Sequence, residues 1–415
     1  MKNRTAFMTF VLSAFFLTLA PAALASNTWY VDGVNGSDSN DCKSSVIACK
    51  TIGHAISLCS WGDTIMVAPA TYTENLTIKK SLKIIGSDAS TTIVDGGGVG
   101  TVFSVSNTKG HVGISKLTIR NGTTPYYGCG AGISNEGTLT VIQSTITANS
   151  ASYCGGGIDN EGTLTVNNST ISGNSAYYYS AGAFGLGGGI YVGSGSATIN
   201  RSTISGNTAG GVGGGISAFG TATINNSTIS GNGALVAGGI EDDGTLTVNN
   251  STISGNGATY NDGAGITVGV YNTTATLTIN NSTISGNSAP AGGAIWIYSG
   301  SAASQNSVVA NNSGGNCSGT FTSNGYNLSS DNTCNFNGPG DMNNTDPKLG
   351  TLGNHGGPTQ TIPLLSGSPA IDAGNPNGCT DGNGMLLTTD QRGAPRPDPE
   401  DTGGCDIGAF ERQKD

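Results

Sequence analysis

Glu136 and Glu161 occupy matching places in two near-identical segments 25 residues apart, and Asp159 stands two residues before the second of them. Carboxylates so placed can supply the acid and the base of glycoside hydrolysis. With further oxygens they can hold Ca2+. Glu241-Asp242-Asp243 is a second oxygen-rich run with the same potential as a metal site. The competing reading of both groups is a solvated acidic patch at a turn. Lyase chemistry on an acidic polysaccharide would need a base, usually Arg or Lys, and a cation to neutralise the substrate carboxylate. Between Cys129 and Ala310 there is no Lys and no His, and the single base, Arg201, stands where other copies of the segment carry Asn. That pattern argues against a polyuronate lyase. No cofactor is required by these residues, and Ca2+ is a possible ligand of the two acidic groups.

Aromatic side chains offer a different chemistry. Tyr153, Tyr177, Tyr178, Tyr179 and Tyr191, together with Tyr126, Tyr127 and Phe184, lie in or beside insertions between segments, and three of them run consecutively in the longest, from Ala176 to Gly187. Rings on loops that bulge from one face are a platform for sugars; the competing reading is that they cover the segment below. A third array consists of hydroxyls. Thr138, Thr163, Ser196, Thr221, Thr245 and Thr276 form one column, and Thr140, Thr165, Thr198, Thr223, Thr247 and Thr278 the next. Such a Thr-x-Thr grid is similar to the ice-binding faces of some solenoids, although plain β-propensity on a solvent face produces the same pattern.

These residues are positioned by a repeat. An isoleucine after a glycine run recurs at Ile133, Ile158, Ile190, Ile216, Ile240, Ile266 and Ile295. A second marker recurs at Ile146, Ile171, Ile204, Ile229, Ile253, Ile284 and Val309, and three residues past each comes Asn149, Asn174, Asn207, Asn232, Asn256, Asn287 and Asn312. Steps of 24 to 33 residues are the signature of a solenoid. Within a copy apolar residues alternate, as in Thr163-Leu164-Thr165-Val166, which means strand rather than helix. Short strands stacked about 4.8 Å apart give each coil a core that it lacks alone. The expectation is an all-β, right-handed parallel β-helix of roughly ten coils, with isoleucine ladders inside and an internal asparagine ladder at a corner. Asn168, Asn226, Asn250 and Asn281, each opening Asn-Ser-Thr, read as turn residues of this repeat rather than as glycan acceptors.

The rest of the chain frames that solenoid. Residues 1–25 read as a signal peptide, with Lys2 and Arg4, an apolar run from Ala6 to Ala20 and Ala23-Leu24-Ala25. No other stretch is long and apolar enough to span a bilayer. Residues 26–62 hold an apolar strand and a short helix, in which Ile52, Ala55, Ile56 and Cys59 share a face and Gly62 follows as a stop; the helix reads as a lid on the first coil. Residues 63–314 form the β-helix, clearest over 129–312, and residues 315–415 an irregular, disulfide-bearing closing segment. Nine cysteines in an exported chain pair by proximity as Cys42 with Cys49, Cys129 with Cys154, Cys317 with Cys334 and Cys379 with Cys405, leaving Cys59 buried and free. Only 10% of residues are charged and the net charge is −10, so no basic stripe exists for nucleic acid.

Three stretches carry a family resemblance. Tyr30-Val-Asp-Gly-Val-Asn-Gly-Ser-Asp-Ser-Asn-Asp41, with Gly62-Asp-Thr-Ile65 and Ala70-Thr-Tyr72, resembles the opening of secreted bacterial pectate-lyase-like β-helix proteins. The repeats, with Gly-Gly-Ala-Ile at 292 to 295, look like those of polymorphic outer-membrane-protein-like β-helices. Asn354-His-Gly-Gly-Pro-Thr-Gln-Thr361, Gly367-Ser-Pro-Ala-Ile-Asp-Ala-Gly374, Asp390-Gln-Arg-Gly393 and Cys405-Asp-Ile-Gly-Ala-Phe-Glu411 resemble the choice-of-anchor Q domain of bacterial surface proteins. The resemblance implies a secreted or cell-surface protein and supplies no catalytic residues. The reading that fits best is a non-catalytic, monomeric module for adhesion or glycan binding, with an extracellular glycan or surface component as partner. A polysaccharide-degrading enzyme is the alternative, and an ice-binding protein a more distant one.

Overall fold

A computed structural model describes residues 26–106, 109–177, 184–260, 262–399 and 404–413; the leader and the pair Tyr178 and Tyr179 lie outside the described residues. The chain winds through four sheets, all with parallel pairing: a twelve-stranded long sheet, an eleven-stranded second sheet, a ten-stranded third sheet and a six-stranded sheet of two-residue strands. One coil shows the plan. Ile158–Asn160 lies in the third sheet, Thr163–Asn167 in the long sheet, Thr170–Ser172 in the second and Ser175–Ala176 in the short one. Neighbouring copies pair without slippage, Ile133 with Ile158 and Ile190, and Ile146 with Ile171 and Ile204. The two marker isoleucines are therefore continuous buried ladders, at 0% exposure throughout the repeats.

The corners make this stacking possible. Asn168, Arg201, Asn226, Asn250 and Asn281 all have φ between 47° and 50°, so the first corner of each coil is left-handed. Asparagine enters that region at little cost, which explains the Asn-Ser-Thr sequences and places Arg201 as an ordinary corner substitution. The serine after each such residue is a second ladder: Ser169 Oγ accepts the amide of Ser144, and Ser202 Oγ that of Ser169. At the next corner the asparagines form the expected chain. Asn149 Nδ2 donates to Asn174 Oδ1 at 2.9 Å, and the same bond recurs from Asn174 to Asn207, Asn232, Asn256, Asn287 and Asn312 at 2.9 to 3.1 Å.

The ends differ from one another. The helix Ile52–Leu58 buries Ile52, Ala55 and Ile56 and packs against the strands Thr28–Val31, Asp63–Val67 and Leu76–Ile78, as a lid on the first coil would. Thr51 caps it, and the Glu74 carboxylate accepts the amides of Ile52 and Gly53. At the other end the coils run past the boundary expected at 314. Cys317–Ser318, Phe321–Ser323 and Leu328–Ser329 extend the third, long and second sheets because the inward positions there are still apolar or bonded.

After residue 340 the chain does not simply close the end; it returns along the outside of the second sheet. Thr228 Oγ1 donates to the Gln360 carbonyl, Thr252 Oγ1 donates to Gln391 Oε1, and Thr283 Oγ1 accepts the Ala409 amide. Arg396 forms a fully buried ion pair with Glu411 at 2.7 Å and also donates to Asn250 Oδ1. With Asn306 Nδ2 donating to the Asp406 carbonyl, this strap fastens four successive coils. All four expected disulfides are formed, and Cys59 is free and buried, its thiol pushed up to about 12 chiefly by that burial. No helix among the described residues is long and apolar enough to cross a membrane.

Truncating one ladder asparagine leaves its neighbours' amide groups without partners in the dry interior, each costing roughly 1 kcal/mol or more. Asn207→Ala should therefore lose about 2–4 kcal/mol in denaturant unfolding, whereas Thr221→Ala on the exposed long sheet should change stability by less than about 0.5 kcal/mol.

Candidate functional site

The outward face of the third sheet holds the site. The residue after each marker isoleucine points away from the core, giving the column Ser134, Asp159, Tyr191, Ser217, Glu241, Thr267 and Trp296. Beside it runs a second column in the turn that follows: Glu136, Glu161, Gly193, Phe219 and Asp243, and then the insertion 269–275, which carries Tyr271. On the opposite flank, Cys154, Leu186, Val212 and Val236 stack as a ladder of parallel bridges and form an external apolar ridge with Tyr153, Tyr191 and Phe219.

Ridge and turn column together enclose a trough. Tyr191 packs on Phe219 with ring centroids 5.8 Å apart, and Phe219 stacks on Tyr271 at 5.9 Å and 19°. A cleft of about 370 Å³ is lined by Tyr153, Phe184, Leu186, Phe219 and Tyr271. It adjoins a smaller one of about 120 Å³ that shares Phe184 and Tyr271, and this in turn shares Val236 and Val270 with a third of about 240 Å³, bounded by Asp262, Trp296 and Tyr298. The trough spans the coils from Ile158 to Ile295, five spacings or about 24 Å. Tyr153 also meets Tyr127 edge-on at 6.2 Å.

Its acidic groups are unequal. At one end Asp159, Glu161 and Glu136 act on one another as the sequence suggests. Burial, and then the charges of Glu161 and Glu136, push the Asp159 carboxyl up to about 7. Asp159 Oδ1 is buried without a hydrogen-bond partner. Glu161 is exposed and accepts both the amide and the hydroxyl of Ser194 at 2.8 Å. Burial, and then the charge of Glu161, raise the Tyr191 phenol to about 12.

Glu241, Asp242 and Asp243 are not a solvated patch: all three are buried. Nor do they form one ligand set. Asp242 pairs in register with Ala218 and Val268 and so faces the coil interior, where burial raises its carboxyl to about 7. Glu241 and Asp243 face outward beneath the Tyr271 insertion. Among the described residues no three carboxylates converge tightly enough to be a metal site; the groups that do converge each contain both sulfurs of a disulfide.

Of the expected platform, Tyr153 and Tyr191 line or flank the trough. Tyr177 does not: it is 58% exposed, and Ser150 and Ser175 of the short sheet hydrogen-bond its hydroxyl and lower its pKa. Phe219, Tyr271, Trp296 and Tyr298 were not expected. Their signal was in the register, because Trp296 occupies the position after a marker isoleucine and Phe219 the position of Glu136 and Glu161. The two threonine columns do stand side by side on the exposed outer face of the long sheet, next to an asparagine column in which Asn200 bonds Asn167 and Asn225 bonds Asn200.

Comparison with known proteins agrees with this architecture. Residues 158–338 match the family described as right handed beta helix region. The chain is a right-handed parallel β-helix. Among solved structures it is similar to the pectate lyase Pel9A, at 15% identity and a TM-score of 0.56, covering 94% of this chain and 98% of that one. A looser likeness, with a TM-score of 0.36 and 10% identity over 73% of this chain and 64% of the other, is to a GH136 lacto-N-biosidase from Eubacterium ramulus. No curated protein matches the sequence.

The pH dependence of stability follows from Asp159, Asp242 and Asp406, each raised to about 7 mainly by burial. A carboxyl whose folded pKa exceeds its unfolded value near 3.8 stabilises fully below that value and loses its contribution as pH rises through about 7. The thermal midpoint should fall between about pH 4 and about pH 8, and Asp159→Asn should flatten part of that decline in a scan at several pH values.

Proposed function

We propose that this protein is an extracellular glycan-binding module whose ligand lies along the trough of the third sheet. The observation that carries the reading is the aromatic wall, Tyr153, Phe184, Tyr191, Phe219 and Tyr271, running along the solenoid axis beside carboxylates. Aromatic faces give sugars large contact area with little entropy loss, and strands about 4.8 Å apart repeat at close to the length of one hexose in an extended β-linked chain. Phe219 and Tyr271 are fixed by stacking, so little ordering is needed on binding. Four disulfides fit an oxidising compartment.

The charge of the trough narrows the ligand. Among the described residues, Asp159, Glu161, Glu136 and Asp262 are the carboxyl groups that border it outside the buried Glu241 and Asp243, and no Lys, Arg or His is among its lining residues. A polyuronate would meet like charge, whereas a neutral or amine-bearing glycan would not. Immobilised neutral and amine-bearing polysaccharides should retain the protein, and polygalacturonate should not. Tyr191→Ala and Phe219→Ala should each weaken retention by about tenfold or more, ~1.4 kcal/mol, with the unfolding midpoint little changed. Retention on polygalacturonate alone would overturn this reading.

One observation favours a second reading, hydrolysis. Asp159, neutral up to about 7, stands beside the carboxyl groups of Glu161 and Glu136, and glycoside hydrolysis requires such a neutral acid with a second carboxyl beside it. Under this reading Asp159 protonates the leaving oxygen, and Glu161 or Glu136 activates water. New reducing ends from a retained glycan, abolished by Asp159→Asn while retention persists, would establish it. Retention without cleavage leaves the binding module.

A further inference from the structure

The smallest of the three adjoining clefts differs from its neighbours. It holds about 120 Å³, and its walls include Val212, Leu235, Val236 and Val270. Phe184 and Tyr271 belong both to it and to the largest cleft. Among the described residues that line it, the phenols of Tyr260 and Tyr271 are the only polar side-chain groups. Apolar cavities of about 150 Å³ admit a molecule the size of benzene. A cleft of about 120 Å³ therefore has room for an acetyl group but not for a pyranose, whose hydroxyls would be left without partners there.

Both walls of this cleft are fixed before a ligand arrives. Val212 and Val236 belong to the ladder of parallel bridges that runs up the ridge, so the register of the solenoid sets their place. Val270 and Tyr271 belong to the insertion, which is held by the buried Asp243. Its Oδ1 accepts the amides of Tyr271 and Asn272, each at 2.9 Å, and Asn272 Nδ2 donates to the Asp243 carbonyl at 2.8 Å. The cleft of about 240 Å³, which shares Val236 and Val270, carries a single carboxyl, Asp262, beside Trp296 and Tyr298. Those two rings meet edge to face with centroids 5.4 Å apart. An extended glycan lying on both this pair and the Phe219–Tyr271 stack must pass over the small apolar cleft.

We propose that the small cleft is an acetamido pocket and that the glycan held in the trough contains an N-acetylhexosamine. This rests on the reading of the trough as a glycan surface and names the sugar that it selects. An acetamido group has the two properties that the walls match. Its methyl group gains by leaving water for Val212, Val236 and Val270. Its N–H needs an acceptor, which the Asp262 carboxyl supplies from the adjoining cleft. An ester-linked acetyl group has the methyl without the N–H, and a hydroxyl has no methyl to bury. The group is also uncharged, so it adds no repulsion in a trough bordered by carboxyls. Successive units of an extended β-linked chain face opposite sides, so one pocket selects one unit and leaves its neighbours free to vary.

Hexa-N-acetylchitohexaose and cellohexaose test this, because both are neutral, β-linked and equal in length and differ only where one carries acetamido and the other hydroxyl groups. By titration calorimetry on the full disulfide-bonded chain, the N-acetylated oligomer should bind about tenfold or more tightly than the other. Val270→Phe fills the cleft and should bring that ratio close to one. Asp262→Ala removes the acceptor and should lower the ratio about threefold or more; it serves also if the first variant disturbs the insertion. A ratio near one in wild type, or a ratio that survives both substitutions, would overturn the pocket and leave the glycan surface standing. Binding of neither oligomer would remove the glycan surface and the pocket with it.

Discussion

In-register stacking is the constraint on which everything else here depends. A coil of this size has no interior of its own, so each inward group must be matched by the same group in the next turn. For isoleucine that means continuous apolar contact. For a polar residue it means that every copy must donate to one neighbour and accept from the other. Asparagine, with one donor end and one acceptor end, can do this indefinitely, as can a serine that accepts an amide and donates to a carbonyl. The repeat is rich in small polar residues because its corners need φ above zero and its ladders need amphoteric side chains.

The trough is a product of the same register. Because pairing never slips, the position after each marker isoleucine always faces out, and whatever stands there becomes a line parallel to the axis. Function can then be written by substitution in one column and by insertion in the adjoining turn, while the ladders stay constant. The Tyr271 insertion illustrates this: its length departs from the repeat, but its anchor, Asp243, occupies the same turn position as Glu136 and Glu161. The acids of that column end up in very different environments because one is open to water and another lies under an insertion.

This explains what could and could not be read from the sequence. The strands, ladders, disulfides, helical lid and corner turns were legible because each is a local choice repeated many times, or a cysteine pair that stacking brings close. The trough was only half legible. Tyr153, Tyr191 and the Asp159 group were found because they sit in or beside conspicuous features, whereas Phe219 and Trp296 occur once each and declare themselves only when the columns are aligned. The burial of Glu241 was not legible, since it depends on where the 269–275 insertion lands. Nor was the course of the closing segment. Gln391 and Glu411 belong to stretches that stand out in the sequence, but their partners Thr252 and Arg396 are identified only by the path of the chain back along the second sheet.

That returning strap makes the molecule mechanically uneven. A bare solenoid under tension can peel one coil at a time, each step breaking a single set of ladder bonds. The coils from Thr228 to Val308 are tied crosswise by Gln391, Arg396 and the segment around Ala409, so they must yield together. Among the described residues, the coils before them carry no such brace, apart from the covalent link between Cys129 and Cys154. Pulled from its amino-terminal end, the protein therefore pays out its early turns as a compliant tether and keeps its later turns as a stiff block. The trough crosses the junction between the two, with Tyr191 on the compliant side and Glu241 on the stiff one.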